Sequence, residues 1–392
     1  MLLLLAASLL QAPADSGLTL ASAWRTALRQ RGAVLSASAT MAEAGAQIRL
    51  AGQVPNPTAS LSYTGAAPRG HFIVEQPLSW MLVNGPAKDA ARAALSRSAV
   101  DSTLVLARLG ADVSHAFYAV LGHEARYRLM LDQQQVADSV SGIARRRYRA
   151  GDIALLEVEQ VELESRLQQQ FVSAEADELA VARGELAAVI GWVGGSLPPT
   201  AGDLADGLDA GEVEPEAGTP PAVAGAQADS SLAALSVSVA ERDRIPFPSL
   251  QVGTEWNDPA DPGHAFGVVG ISIPVPLWNW GGSQVAVARA RAASAAASVT
   301  EARLDAQQAV NGARIRLTGQ ASRARFARDS LVPAAASLRQ RALTAYRSGE
   351  TGVIPVLEAI RREREVQLAE VDALVAFHEA AAALDELLGK TP

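Results

Sequence analysis

The residues able to do chemistry are sparse and badly spaced for it. His71, His115, His123, His264 and His378 form no His-x-x-His or His-Glu-x-x-His pair. Metal ligands on one helix face need separations of three or four residues, so these histidines are read as surface or packing groups. There is no cysteine, which excludes thiol catalysis, a disulfide framework, cysteine-bound metal and a lipidated N-terminal cysteine. No phosphate-cradling glycine loop and no dinucleotide fingerprint occurs. No catalytic residue, metal or cofactor is therefore expected. What recurs is a turn: Tyr148-Arg149-Ala150-Gly151-Asp152 returns as Tyr346-Arg347-Ser348-Gly349-Glu350. A glycine there lets the chain reverse between helices at positive φ, and small neighbours leave room for another helical tip.

Bulk properties set the frame for those turns. The chain has 392 residues, 49% of them hydrophobic but only 5% aromatic. That suits long helices packed side by side better than an aromatic-rich globular core. A formal charge of −8 argues against a nucleic-acid partner, which needs a basic surface. Residues 1–10 are an apolar run and Ala12-Pro13-Ala14 resembles a small-residue cleavage site, so residues 1–14 read as a signal peptide without the usual basic start. Beyond them no uninterrupted apolar run reaches the ~18 residues of a spanning helix. A membrane crossing would have to use strands.

The chain is written twice. Tyr148 and Tyr346 stand 198 positions apart (346 − 148), and the same offset relates Leu186 to Leu384 and Gly191 to Gly389. Pro55-Asn56-Pro57 corresponds loosely to Ile245-Pro246-Phe247-Pro248, and Gln76-Pro77-Leu78 to Val275-Pro276-Leu277. This period is too long for a solenoid and reads as duplication of a whole half. The expected organisation is a first repeat over 15–193, an exposed linker over 194–221 rich in Gly, Pro, Asp and Glu, and a second repeat over 222–392. Each repeat reads as a helix, two strands and a long helical hairpin. In the first, residues 20–52 are helical, 58–65 and 71–78 are strands, and Pro86 marks the first turn of a helix over 84–149. That is about 65 residues, or roughly 100 Å if helical. The pattern resumes after Gly151 and runs to Ile190. In the second, strands cover 249–256 and 265–274, helices cover 283–347 and 353–388, and Pro333 marks a kink.

The first long helix carries two apolar series, Val100-Leu104-Ala107-Ala111-Ser114-Tyr118-Leu121 and Leu106-Leu109-Val113-Ala116-Val120, displaced by about 200°. Arg108, Asp112, His115, Glu124 and Arg126 occupy the strips between. Two seams imply a neighbour on each side, as in a wall of helices; a two-stranded coiled coil needs one. The strands alternate. Leu250, Val252, Thr254 and Trp256 oppose Ser249, Gln251, Gly253 and Glu255. Val269, Ile271, Ile273 and Val275 oppose Phe266, Val268, Gly270 and Ser272, and Phe72, Val74 and Gln76 oppose His71, Ile73 and Glu75. One lipid-compatible face and one wet face is the pattern of a membrane barrel, and each run has about the 9–11 residues a tilted strand needs. One chain supplies four strands while a closed barrel needs eight or more, so protomers must pool them; three chains give twelve. Trp80, Trp278 and Trp280 at one end and Tyr63 and Trp256 at the other suit membrane-interface belts in contact with lipid.

These features resemble the TolC-type outer-membrane efflux family over nearly the whole chain after residue 14. The resemblance rests on Tyr148-Arg149-Ala150-Gly151, Tyr346-Arg347-Ser348-Gly349, Asn56-Pro57, and Gly270-Ile271-Ser272-Ile273-Pro274-Val275-Pro276-Leu277 leading to Gly281-Gly282. The Ile-Pro-Val-Pro-Leu run is more similar to the heavy-metal branch than to the general export archetype. The resemblance implies a mostly α fold with a membrane β-barrel portion, a homotrimer whose twelve-stranded barrel sits on a helical barrel reaching through the periplasm. It implies an outer-membrane location and passive conduction of metal cations, drugs or other small molecules. The implied partners are a periplasmic adaptor and an inner-membrane pump of the resistance-nodulation-division type. The implied docking tip comprises Tyr148, Gly151, Asp152, Ile153, Ala154 and Leu155 with Tyr346, Gly349, Glu350, Thr351, Gly352 and Val353. Of two acidic positions that ring the family's aperture, Pro355 replaces one and Glu358 keeps the other; Glu157 resembles a position that latches the closed tip, onto Tyr346. The rival expectations are a periplasmic adaptor, which carries a single hairpin, and a structural coiled-coil protein, which has no use for amphipathic strands.

Overall fold

The computed structural model describes residues 17–209, 218–260 and 263–392. The expected signal peptide, residues 1–14, lies outside them. The elements are α1 (Leu20–Gln30), α2 (Gly32–Leu50), β1 (Thr58–Tyr63), β2 (Gly70–Pro77), α3 (Trp80–Arg149), α4 (Leu155–Ile190), α5 (Pro221–Asp243), β3 (Ser249–Trp256), β4 (Ala265–Ser272), α6 (Gly282–Phe326), a π turn (Ala327–Leu331), α7 (Val332–Ser348) and α8 (Val353–Leu388). They form two compact units that do not coincide with the sequence halves. One contains the chain up to Val34, Leu106–Gly218 and Gln308–Pro392; the other contains Leu35–Val105 and Thr219–Gln307.

The two long second helices of the hairpins share backbone detail. α4 and α8 are both 36 residues long, and Gly191 and Gly389 end them in the left-handed conformation at φ 69° and 72°. Trp192 N–H donates to the Ala187 carbonyl at 2.8 Å and Lys390 N–H to that of Asp385 at 2.8 Å. These are six-to-one closures that satisfy carbonyls a helix end would otherwise leave bare.

Several boundaries differ from expectation for local reasons. The first helical stretch is two helices, because Arg31 is extended at φ −80°, ψ 121°. α3 starts at Trp80, four residues early, and takes Pro86 into its interior; proline costs one ladder bond there rather than opening the helix. The fourth strand stops at Ser272, since Pro274 and Pro276 have no N–H to offer a ladder. The strands have six residues in β1 and eight in each of the others, short of the expected length. Pro333 is not a simple kink. The chain widens into the π turn just before it, and Val332 N–H reaches back five residues to the Ala327 carbonyl. That spares the ring a clash with a carbonyl four residues earlier.

In the first unit the main core gathers Trp24, Leu109, Val113, Phe117, Val120, Leu186 and Ile190, with Leu204 and Leu208. The last two correct the sequence reading. The linker was expected to be exposed, yet Leu208 is fully buried and Leu204 nearly so; their spacing of four puts both on one side of a helical turn. Both apolar series of α3 contribute buried residues, Ala107, Ser114 and Leu121 from one and Leu109, Val113 and Val120 from the other. Glu124, expected on a polar strip, is buried instead and is paired with Arg183 at 2.8 Å. α3 also contains one window long and apolar enough to span a membrane, half of it buried against its own chain.

Candidate functional site: the hairpin turns and the sheet

Both turns lie in the first unit and share a backbone. Gly151 and Gly349 have φ of 83° and 84°. Asp152 N–H closes on the Arg147 carbonyl at 2.9 Å, and Glu350 N–H on that of Ala345 at 2.9 Å. Beneath them a small core forms from Val140, Ala144, Val158, Val161, Leu343, Val353, Val356 and Ile360.

The side chains then part company. Tyr346 is completely buried in that core, whereas Tyr148 is 43% exposed. Arg147 crosses between the turns: it donates to the Tyr346 carbonyl at 3.1 Å and its guanidinium lies 4.9 Å from the ring centroid. Among the described residues the Tyr346 hydroxyl has no partner at hydrogen-bonding geometry. Burial pushes its pKa up, the Glu157 charge adds to that, and Arg147 opposes it. The expected contact of Glu157 with Tyr346 is therefore not a hydrogen bond. Glu157 instead accepts from Val353 N–H at 3.3 Å, so a carboxylate in the first turn of α4 caps the start of α8, where free N–H groups and the helix dipole favour negative charge. Arg147 was not legible as part of this site; the groups it joins are 199 positions apart.

Glu358 is exposed on α8, in a shallow hollow lined also by Leu338, Pro355, Arg361, Arg362 and Glu365. Its charge helps to raise the Arg361 pKa, behind the hydrogen bond from Arg361 to Glu164. Pro355 fits because the first turn of a helix has N–H groups to spare.

In the second unit the four strands form one antiparallel sheet in the order β1-β2-β3-β4. The register puts Leu61, Phe72 and Thr254 in one row and Ala59, Val74, Val252 and Val269 in the next, with Leu250 opposite Ile271. One apolar face thus crosses all four strands, and Leu61, Val252, Val269 and Ile271 on it are exposed at 73%, 49%, 76% and 69%. The other face carries His71 against Glu255 at 3.2 Å and Gln251 donating to Glu75 at 3.1 Å. A sheet with its greasy face bare and its polar face internally paired is inverted relative to a soluble domain.

The comparisons with known proteins agree with this geometry. Residues 219–390 match the family described as "Outer membrane efflux protein". Among solved structures, the outer membrane protein VceC from Vibrio cholerae aligns over 95% of this chain and 96% of its own, at 18% identity and TM-score 0.74. CusC aligns over 95% and 92%, at 17% identity and TM-score 0.79. The open-state MtrE channel of Neisseria gonorrhoeae aligns over 95% and 89%, at 18% identity and TM-score 0.73. At such identities the likeness speaks for the fold. No curated protein matches the chain.

Residues 219–390 match the outer membrane efflux protein family, and the chain as a whole shares the fold of solved outer-membrane channels. Two of the histidines are held by packing and pairing. His378 is buried, stacks on Tyr118 with centroids 3.6 Å apart, and its Nε2 meets the Leu204 carbonyl at 2.9 Å; burial pushes its pKa down. His123 pairs with Glu175 at 2.7 Å. Among the described residues no cluster of His, Asp and Glu has metal-holding geometry.

The aromatics expected at the membrane interfaces divide in exposure. Trp278 and Trp280 are exposed at 92% and 71%. Tyr63, Gly70 and Trp256 sit in one row, where the indole covers the glycine so closely that a Cβ would stand 2.2 Å from it; Asn257 donates to the Tyr63 hydroxyl at 2.9 Å. Trp80 is half-buried, and among the described residues its enclosed indole N–H has no hydrogen-bond partner.

Proposed function

We propose that this chain is one protomer of a homotrimer that pools three four-stranded sheets into a twelve-stranded outer-membrane barrel and conducts small solutes passively to the exterior. The observation that carries this is the continuous, exposed apolar face across a sheet whose outer strands, β1 and β4, are both edges. Open edges are excluded from lipid, so the sheet needs neighbours, and identical chains supply them.

In this reading the two sequence repeats, 15–193 and 222–392, are the duplicated building blocks of the barrel wall, and Tyr63, Trp256, Trp278 and Trp280 anchor the strands in the membrane interfaces. The paired turns form the tip that meets a periplasmic adaptor, itself coupled to an inner-membrane pump of the resistance-nodulation-division type. Glu358, exposed on α8 and without a hydrogen bond among the described residues, is the acidic group at the aperture, while Glu157 is a capping group of the tip. Substrates are metal cations, drugs or other small molecules delivered by the pump. The alternative of a periplasmic adaptor is disfavoured by two hairpins and a bare apolar sheet.

Single-channel recording in planar bilayers tests this. Purified trimer should give discrete, cation-selective conductance, and Glu358→Ala should lower the selectivity. Selectivity unchanged by the substitution would remove Glu358 from the aperture and leave the channel. A detergent-free soluble monomer would sink the channel reading itself.

A further inference from the structure

The second hairpin has a weak point that the first lacks. Between Ala327 and Leu331 the ladder loses its α register, and two residues on Pro333 has no N–H to give. At the corresponding stretch of α3, around Met130, the helix is continuous and Gln135 stands where Pro333 would fall. A helix interrupted in this way bends there unless something outside it holds the turn.

Something does. Residues 199–209, part of the supposed linker, run across the site. Their start is pinned by Leu18 N–H to the Pro199 carbonyl at 2.7 Å and Ala201 N–H to the Leu18 carbonyl at 2.9 Å. Leu204 and Leu208 enter the main core. Gly202 sits against Phe117 and Leu121 of α3, and His378 of α8 meets the Leu204 carbonyl. The end is held from the interrupted helix itself. Arg325, one residue before the end of α6, gives two hydrogen bonds to the Leu208 carbonyl at 3.1 and 2.5 Å. Arg328, inside the π turn, grips Asp209 through both terminal nitrogens at 2.9 and 3.0 Å. Glu370 on α8, raised in pKa chiefly by burial, feels the charges of Arg328 and Asp329, so the turn is also sensed by α8.

We propose that the π turn is a hinge in the second hairpin and that residues 199–209 are a strap that holds it, with Arg325 and Arg328 as the positioning residues. Releasing the strap frees α7 and the start of α8 to move, while the first hairpin keeps its place. The division of labour follows from burial. Asp209 is 65% exposed, so its ion pair alone holds little. The Leu208 carbonyl belongs to a buried residue, and the charge-assisted bonds from Arg325 carry more of the restraint.

The test is hydrogen–deuterium exchange on the full-length trimer in detergent, comparing wild type with Arg325→Ala, Arg325→Lys and, as control, Arg323→Ala. Arg323 is exposed two residues away, on the other side of the helix, and bonds within its own helix, to the Gly319 carbonyl. For Arg325→Ala the hinge predicts exchange about tenfold or more faster in the π turn, α7 and the first turns of α8. The 151–155 turn should be unchanged, Arg325→Lys should recover part of the protection, and the control should match wild type. Faster exchange confined to 199–209 would make the segment a mere surface loop and overturn the proposal. So would faster exchange spread equally over α4 and α8, which would mark a general loss of stability. That this motion bears on conduction rests on the channel reading: a wild-type trimer without conductance would sink that reading and leave the exchange result standing.

Discussion

The two hairpin turns have the same backbone and opposite side-chain roles. Gly151 and Gly349 differ by one degree in φ and close the same six-to-one hydrogen bond, yet Tyr346 is fully enclosed while Tyr148 stands 43% exposed. Duplication copies what the main chain dictates. It does not copy the environment, because each turn packs against the other and one tyrosine alone takes the inside place, with Arg147 lying against it. Repeated sequence is thus strong evidence for repeated turns and weak evidence for repeated function.

The sharpest way to break this comparison is to truncate both tyrosines. Tyr346→Ala removes a fully buried aromatic and should cost about 3–5 kcal/mol, while Tyr148→Ala should stay within about 1 kcal/mol. Denaturant unfolding of the purified protein measures both. Equal losses would mean that the two turns are alike after all. Tyr346→Phe sharpens the same contrast. Among the described residues the hydroxyl has no partner at hydrogen-bonding geometry, so deleting it should be neutral or slightly stabilising. A loss above about 1.5 kcal/mol would show that the hydroxyl is bonded after all.

The backbone should be as symmetric as the tyrosines are not. Gly151→Ala and Gly349→Ala each force a side chain into the left-handed region, at about 1–2 kcal/mol apiece. Neither glycine has neighbours that would crowd a Cβ: nothing lies within 4 Å of Gly151, and the nearest group to Gly349 is the end of Arg147 at 3.8 Å. Conformation is therefore the whole cost, and thermal unfolding should show two similar losses. A difference larger than about 1 kcal/mol would point to packing that the positions of these turns do not show.

What the sequence disclosed divides along the same line. The offset between Gly151 and Gly349 marked the turns, because glycine at a helix end has one strong physical reason to be there. Alternation from Leu250 to Trp256 located β3 to the residue, since a period of two has no other source. The end of β4 was missed by two residues because apolar alternation continues through Ile273 and Val275 while hydrogen bonding stops before Pro274. The roles of Arg147 and Arg325 were hidden altogether, and Glu157 was singled out but with the wrong partner: each is set by a group more than a hundred residues away. The linker is the instructive failure. Its Gly, Pro and acidic content read as exposure, and Leu204 and Leu208, two apolar residues one helical turn apart, were outvoted by the average.

A further small effect falls where the two halves differ in residue type at equivalent positions. Glu157 and Pro355 occupy equivalent positions, three into α4 and three into α8. Glu157 serves both helices, lying in the first turn of its own and accepting from Val353 N–H at the start of the other. Glu157→Ala should cost about 0.5–2 kcal/mol, in the range of a lost helix cap. Pro355→Glu should change stability by no more than about 0.5 kcal/mol. A second acid gains from the α8 dipole, but the proline's stiffening of the unfolded chain is lost and a second negative charge is placed near Glu157. If Pro355→Glu instead restores what Glu157→Ala removes, the acid is needed only somewhere near the two helix starts. If the double variant is no better than Glu157→Ala alone, the reach from one hairpin to the other is what matters, and a single carboxylate joins the two turns into one tip.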